Sequence, residues 1–110
     1  MKMTELSAED QKLVTLAKGA RARIGAPSAT CVRDTDGRTY SAATVEFSGR
    51  KFDSAELAIA TALSAGAKKF EAVCVLGDEE LDLSQIKSVL LETGIVITCD
   101  AQGEVLAVIS

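Results

Sequence analysis

The chain has 110 residues, 47 % of them apolar, which is enough for one core, so we expect residues 1–110 to form a single domain. No stretch approaches the roughly 18 apolar residues that cross a bilayer, and the start lacks the apolar segment of a signal peptide; these absences exclude a membrane-spanning or secreted class and predict a cytoplasmic protein. The net charge is −4, with +3 over residues 1–51 and −7 over residues 52–110. This asymmetry is compatible with an oligomer or with a basic RNA-facing surface. A solvated helix face is a simpler explanation of the basic residues.

The first half of the chain predicts one helix and a hairpin. Residues 7–23 carry apolar side chains at helical spacing after Ser7, a residue typical of helix starts. Two extended runs follow at 30–33 and 38–45, and the Asp-Gly step between them is a strong hairpin signal.

The second half predicts helices alternating with strands. Residues 54–65 are small and apolar and indicate a helix, and 70–76 read as a strand buried on both faces. We expect a second amphipathic helix over 83–92 that ends at Gly94. The final strands, 95–99 and 105–109, are joined too closely for a parallel crossover, so they should pair antiparallel. The whole predicts one mixed sheet between helices.

Several kinds of chemistry are excluded by composition. The chain has no histidine, which removes Ser-His and Cys-His pairs and every metal site built on imidazole. Its glycines lack the spacing of a nucleotide-binding loop. The three cysteines, Cys31, Cys74 and Cys99, are far apart among apolar neighbours and form no C-x-x-C pair, so we expect buried free thiols rather than a displaced zinc site or disulfides.

One segment resembles a known family. The run from Asp36 to Glu46, DGRTYSAATVE, resembles the first hairpin of the cytidine deaminases, where an asparagine and a glutamate hold the ribose of the nucleoside. Thr44 stands at the asparagine position, and the glutamate is kept as Glu46. Residues 54–56 and 82–94 resemble the family's Cys-Ala-Glu and Pro-Cys-x-x-Cys segments. The resemblance covers about residues 10–109 and implies a three-layer α/β/α cytidine deaminase-like fold with a five-stranded mixed sheet whose last strand pair is antiparallel.

The resemblance also shows what this chain lacks. A zinc deaminase needs three protein ligands, with an open position where zinc activates water and a glutamate moves the proton. At the family's ligand positions the chain has Ser54, Leu83 and Ile86, and aliphatic side chains cannot coordinate a metal. Ala26 replaces the aromatic residue that holds the pyrimidine. We therefore expect no zinc and no catalysis, with Glu56 as the remnant of the proton-shuttle glutamate, and a former site that has become part of the core.

Two glutamates each have a second possible explanation. Glu56 fits a capping box with Asp53, in which each side chain accepts a hydrogen bond from the other residue's amide. Glu46 is either a remnant ribose contact or a solvated charge at the end of a strand.

Three functional hypotheses follow. The leading one is a non-catalytic scaffold or interaction protein. The second is a ligand-binding protein in which Thr44, Glu46 and Glu56 still hold a nucleoside. The third, less favoured, is an RNA-associated factor. If the chain is active, the resemblance implies a hydrolase that deaminates cytidine, and it also implies a homo-oligomer, a dimer or tetramer.

Overall fold

The structure is a computed structural model that describes residues 5–110. The helices are α1 (Ala8–Ile24), α2 (Ser54–Ser64) and α3 (Leu83–Lys87). The strands are β1 (Ser28–Asp34), β2 (Thr39–Ala43), β3 (Val45–Phe47), β4 (Arg50–Phe52), β5 (Phe70–Gly77), β6 (Leu90–Cys99) and β7 (Val105–Ile109).

Five strands form one mixed sheet in the order β2-β1-β5-β6-β7. β1 is antiparallel to both of its neighbours, β5 and β6 run parallel, and β6 and β7 are antiparallel. The predicted mixed sheet with an antiparallel last pair is therefore confirmed. β3 and β4 form a separate two-stranded sheet.

Alternation along the strands places helices on both faces of the sheet. In β5, Cys74 packs with α1 in one core cluster, whereas its neighbours Val73 and Val75 pack with α2 and α3 in the other. Successive strand residues point to opposite faces, so the continuous apolar run of β5 serves two cores at once. The result is the predicted three-layer α/β/α arrangement.

The first helix is set by local signals. Ser7 Oγ accepts a hydrogen bond from the Asp10 amide at 3.1 Å, which caps the N-terminus. Gly25 ends the helix in the left-handed conformation, with φ of 64°, which glycine adopts at little cost. The predicted helix, 7–23, is thus confirmed to within one residue. Neither α1 nor any other helix of residues 5–110 is long and apolar enough to cross a membrane.

The helix predicted over 83–92 is wrong in its second half. α3 ends at Lys87, and residues from Leu90 onward belong to β6. The Val89 carbonyl accepts a hydrogen bond from the Phe70 amide at 2.9 Å, which ties this segment to β5. Gly94 is not a helix cap. A Cβ there would lie 2.9 Å from the Leu91 carbonyl oxygen and 3.1 Å from that of Phe70, so the strand irregularity at this point requires glycine.

The strand predicted over 38–45 is also divided. The chain leaves the main sheet at Thr44, whose amide donates to the Ser28 carbonyl at 3.0 Å. It then forms the β3–β4 hairpin, which the sequence reasoning missed. Both turn residues, Ser48 and Gly49, have positive φ, as two-residue hairpin turns of this hand require.

Candidate functional site

The most densely hydrogen-bonded carboxylate in the described residues lies at the N-terminus of α2. It belongs to Glu79, in the segment between β5 and α3. The amides of Ser54 and Ala55, the first residues of α2, donate to its two oxygens at 3.0 and 3.1 Å. These amides have no partner inside the helix, and the helix dipole also favours negative charge here. Glu79 therefore caps α2 from a distant part of the chain.

Three hydroxyl groups complete the surroundings of this carboxylate. Ser28, at the start of β1, donates to Glu79 Oε1 at 2.9 Å, and Thr44, just after β2, donates at 3.0 Å. The Ser54 hydroxyl donates at 2.7 Å. The exposed fractions of Ser28, Thr44 and Ser54 are 1 %, 6 % and 0 %. We call these three hydroxyls, with the amides of Ser54 and Ala55, the hydroxyl cradle.

A second set of contacts fixes the hydroxyl cradle. Thr30 Oγ1 lies 2.8 Å from Ser54 Oγ, and since the Ser54 hydrogen points to Glu79, Thr30 donates. Ser28 Oγ and Thr44 Oγ1 lie 2.6 Å apart, and since each hydroxyl has one hydrogen, one of them donates to the other when it does not donate to Glu79. Thr44 Oγ1 also accepts from the Ser54 amide at 3.0 Å. The cradle is thus held by β1, the β2–β3 junction and α2, independently of Glu79.

The surroundings change the acidity of Glu79. Burial by itself would raise the pKa of this carboxyl, because it disfavours the charged form. The hydrogen bonds from Ser54, Ser28, Ala55 and Thr44 outweigh burial and hold the pKa below its ordinary value. Glu79 is accordingly ionised at neutral pH.

The capping box that offered an alternative explanation of Glu56 does not form. Asp53 occupies the N-cap position, but its side chain makes no capping hydrogen bond. Its carboxylate instead lies 3.7 Å from Lys51 Nζ. Glu56 is exposed in the first turn. The helix end is capped instead by Glu79, which accepts from the amides of Ser54 and Ala55, two donors that a box between Asp53 and Glu56 would leave unpaired.

The N-terminus of α3 is capped locally. Asp82 Oδ1 accepts hydrogen bonds from the amides of Ser84 and Gln85 at 3.1 and 3.2 Å. Ile86 turns inward, is 2 % exposed and belongs to the core cluster beneath α2 and α3, whereas the partly buried Leu83 packs against that cluster. Ile86 therefore lies in the core and Leu83 at its edge.

Comparison with known proteins identifies the architecture. A family model described as "Cytidine deaminase-like" matches residues 6–103. The chain belongs to this family. A comparison with curated protein sequences finds no match.

Solved structures agree with the family assignment. Cytidine deaminase from Burkholderia pseudomallei aligns with a TM-score of 0.74 at 21 % identity over 96 % of this chain and 93 % of that chain. The enzyme from Mycobacterium leprae aligns with a TM-score of 0.68 at 16 % identity over 84 % and 89 % of the two chains. That from Mycobacterium tuberculosis gives a TM-score of 0.61 at 20 % identity over 82 % and 85 %. At such identities the likeness establishes the fold.

The cytidine deaminase-like fold raises the question of zinc, and the residues present do not fit this ion. At the ligand positions implied by the family resemblance, the Ser54 hydroxyl is engaged by Thr30 and Glu79. Leu83 and Ile86 offer only aliphatic carbon. Zinc sites are built from thiolate, imidazole and carboxylate ligands, and a single carboxylate among hydroxyls does not supply such a set.

The structure places the predicted ligand-binding residues on different elements. Thr44 is part of the hydroxyl cradle. Glu46 lies on β3, exposed and opposite Lys51 of β4. Glu56 lines a cleft of about 290 Å³ between α2 and α3. Ala26, at the position of the family's aromatic, is buried. Glu46 and Glu56 stay predictions as ligand contacts.

The three cysteines are free and buried, as predicted. They lie on adjacent strands β1, β5 and β6 in the core beneath α1, and Cys31 and Cys74 face each other in the antiparallel register. Burial raises the pKa of the Cys31 thiol to about 12. Within residues 5–110 no group of three cysteines or acidic residues is arranged to hold a metal.

The sequence reasoning missed Glu79, Ser28 and Thr30. Glu79 belongs to an acidic run that the sequence shows plainly, but four carboxylates lie between 78 and 82 and nothing local distinguishes them. Serine and threonine within a predicted buried strand could have indicated a polar network, since a buried hydroxyl needs a hydrogen-bond partner.

Proposed function

We propose that this chain is a non-catalytic member of the cytidine deaminase-like family, a pseudoenzyme that acts as a scaffold, interaction or ligand-binding protein. The observation that carries the proposal is the Glu79 carboxylate in the hydroxyl cradle at the N-terminus of α2. At this helix end the chain has a buried hydrogen-bond network built from its own polar residues.

The charge at this site supports the proposal. The negative charge of Glu79 is balanced by donated hydrogen bonds and by the N-terminal end of the helix dipole. A cation is not needed to stabilise it. On the α3 side, Leu83 and Ile86 contribute to the core, so a metal there would meet apolar side chains.

The test measures zinc and deamination together. The wild-type protein, purified from cells grown with added zinc, is assayed for bound metal by mass spectrometry and for ammonia release from cytidine. The cytidine deaminase of Burkholderia pseudomallei is processed in parallel as the positive control. We expect no stoichiometric zinc and no ammonia above background from this chain. Stoichiometric zinc or turnover of cytidine would overturn the proposal and favour the alternative, a hydrolase that deaminates cytidine.

A nucleoside ligand is the second candidate, and the position of Glu56 favours it. Its exposed carboxylate lines the cleft between α2 and α3 beside Gln85 and Ile59, where it can accept hydrogen bonds from a ligand. A thermal-shift comparison of the wild type with Glu56→Gln tests this: a nucleoside should raise the wild-type Tm and raise that of the variant less. Equal or absent shifts in both proteins would contradict it.

We further propose that the chain forms a homo-oligomer in the cytoplasm. Exposed apolar side chains, among them Phe47 at 63 % and Leu106 at 64 %, and the opposite charges of the two halves support self-association. The free thiols fit a reducing compartment. Light scattering coupled to size-exclusion chromatography should give at least twice the 11.5 kDa chain mass, and a monomer would contradict this. RNA association stays the less favoured alternative, marked by binding that weakens steeply with salt.

A further inference from the structure

The β3–β4 hairpin carries an exposed aromatic face. Its register pairs Val45 with Phe52 and Phe47 with Arg50, and residues paired across two strands share one face of the sheet. The rings of Phe47 and Phe52 stack with their centroids 5.0 Å apart, and the Arg50 guanidinium lies 4.9 Å from the Phe52 centroid. A two-stranded sheet is only marginally stable by itself, so an aromatic face open to water indicates a surface that a partner covers.

A cleft of matching character lies between α2 and α3, and we call it the α2–α3 cleft. Its volume is about 290 Å³, and its lining is mostly apolar, with Ile59 and Leu63 from α2 and Val89 from the segment after α3. Leu63 is 41 % exposed, so part of this lining is open to solvent. A cavity of ~150 Å³ already accepts a benzene ring, and the cleft therefore has room for a phenylalanine side chain.

The charges of the two surfaces are complementary. Arg50 is exposed on the hairpin beside the aromatic stack. Glu56 is the only charged side chain among the described residues that line the α2–α3 cleft. Neither residue takes part in the ion pairs found within residues 5–110. An arginine that enters this cleft with an aromatic ring would meet an unpaired carboxylate, and such pairs fix the register of an interface.

The positions of the hairpin and the cleft favour a reciprocal contact. β4 ends at Phe52 and α2 begins at Ser54, so the hairpin joins the body of the protein at the same helix end where Glu56 opens the cleft. Because both elements lie beside one helix, two protomers related by a two-fold axis can each insert a hairpin into the cleft of the other. Each contact then forms twice, which doubles the area that the interface buries.

We propose that the partner of the β3–β4 hairpin is a second copy of this chain, in which Phe47 of each protomer enters the α2–α3 cleft of the other and Arg50 pairs with Glu56 there. This inference rests on the homo-oligomer proposed above and assigns the surface through which it forms. Protein then occupies the cleft, so a nucleoside that bound beside Glu56 would compete with assembly.

The first experiment compares the masses of three proteins by light scattering coupled to size-exclusion chromatography. Phe47→Ser removes the inserted ring from an exposed position and should have the monomer mass of 11.5 kDa. Ile24→Ser is the matched control, because Ile24 is also an exposed apolar residue, at 56 %, but lies on α1 across the sheet from α2 and α3. It should keep the mass of the wild type. An unchanged mass for Phe47→Ser, or loss of assembly in both variants, would contradict the inference.

Charge reversal tests the pairing of Arg50 with Glu56. Arg50→Glu and Glu56→Arg should each raise the dissociation constant of the dimer about tenfold in sedimentation velocity, since each brings like charges together. The double variant restores opposite charges and should return the constant to within about threefold of the wild-type value. Both residues are exposed, and recovery in the double variant separates a lost contact from a damaged fold. If the double variant assembles less well than either single variant, the inference is wrong.

The outcomes separate this inference from the proposed function. A monomeric wild type would overturn both the homo-oligomer and this interface, whereas an oligomer that Phe47→Ser and charge reversal leave unchanged would overturn only the interface. A single-stranded oligonucleotide that binds the wild type, but not a Phe47→Ser protein of unchanged mass, would assign the aromatic face to nucleic acid and so exclude the inference. Bound zinc and ammonia release test the proposed loss of catalysis and do not bear on the interface.

Discussion

The N-termini of α2 and α3 are both capped by carboxylates, but the two caps differ in origin. Asp82 immediately precedes α3, is exposed, and accepts hydrogen bonds from two backbone amides of its own helix. Glu79 lies 25 residues from Ser54 and reaches α2 among buried hydroxyls. Asp82 therefore stabilises one short helix, whereas Glu79 joins α2, β1 and the segment after β5. We therefore expect the same chemical group to contribute more to stability where it connects distant elements.

The largest effect is expected from Glu79→Ala. Loss of the carboxylate leaves donors such as the Ala55 amide and the Ser54 hydroxyl without their acceptor, and one such group costs about 1–3 kcal/mol. Because water will reach some of them, we expect a total loss of about 3 kcal/mol in the free energy of unfolding, measured in urea. The control is Glu80→Ala, which should change stability by less than about 0.5 kcal/mol. Equal effects of the two substitutions would mean that the hydrogen bonds of Glu79 add no stability beyond that of an exposed carboxylate.

A smaller loss is expected from Thr44→Val. The substitution keeps the shape of the side chain but deletes a hydroxyl that donates to Glu79 and accepts from the Ser54 amide. We predict a loss of about 2 kcal/mol in urea unfolding. Thr61→Val on the exposed side of α2 is the matched control and should be nearly neutral. A neutral Thr44→Val would mean that the buried network contributes little.

The third prediction concerns pH. The pKa of Glu79 is held below its ordinary value of 4.5, so its charged form is favoured by folding. The stabilisation is therefore present above pH ~4.5 and is lost as pH falls through the lower pKa of the folded state. The difference in unfolding free energy between wild type and Glu79→Gln should be constant near neutral pH and shrink in acid. A difference that does not vary with pH would contradict the assignment.

The smallest effect is expected from Asp82→Ala. Its cap hydrogen bonds are exposed and belong to a helix of five residues, so we expect a loss of about 0.5–1 kcal/mol. Hydrogen exchange should locate the change at the amides of Ser84 and Gln85. If Asp82→Ala cost as much as Glu79→Ala, the contrast between local and distant caps would be wrong.

The elements that the sequence predicted well are those fixed by neighbouring residues. α1 has both of its caps within the local chain, and β7 follows a connection too short for a parallel crossover. The wrong helix prediction at residues 88–94 has a physical cause. Val89, Leu90 and Leu91 suit a helix or a buried strand equally, and pairing with Phe70 of β5 decides between them. Such a choice depends on a partner that the local pattern does not contain.

The candidate site was likewise predicted only in part. Resemblance located Ser54, Leu83 and Ile86, and their chemistry alone argued against zinc. Thr44 was singled out, but as a ligand contact rather than as a buried partner of Glu79. Glu79 itself was missed, because the acidic residues between 78 and 82 look alike until the strands place one of them over α2.

The sequence by itself determined the kind of side chain at each family position, because that follows from composition and motif order. It also determined the alternation that builds a two-faced sheet. Only the tertiary structure decided what lies at the N-terminus of α2. The Glu79 carboxylate meets donors that are 24 to 51 residues away along the chain, and hydrogen bonds over a few ångströms form between such groups only after the strands have paired and the helices have packed.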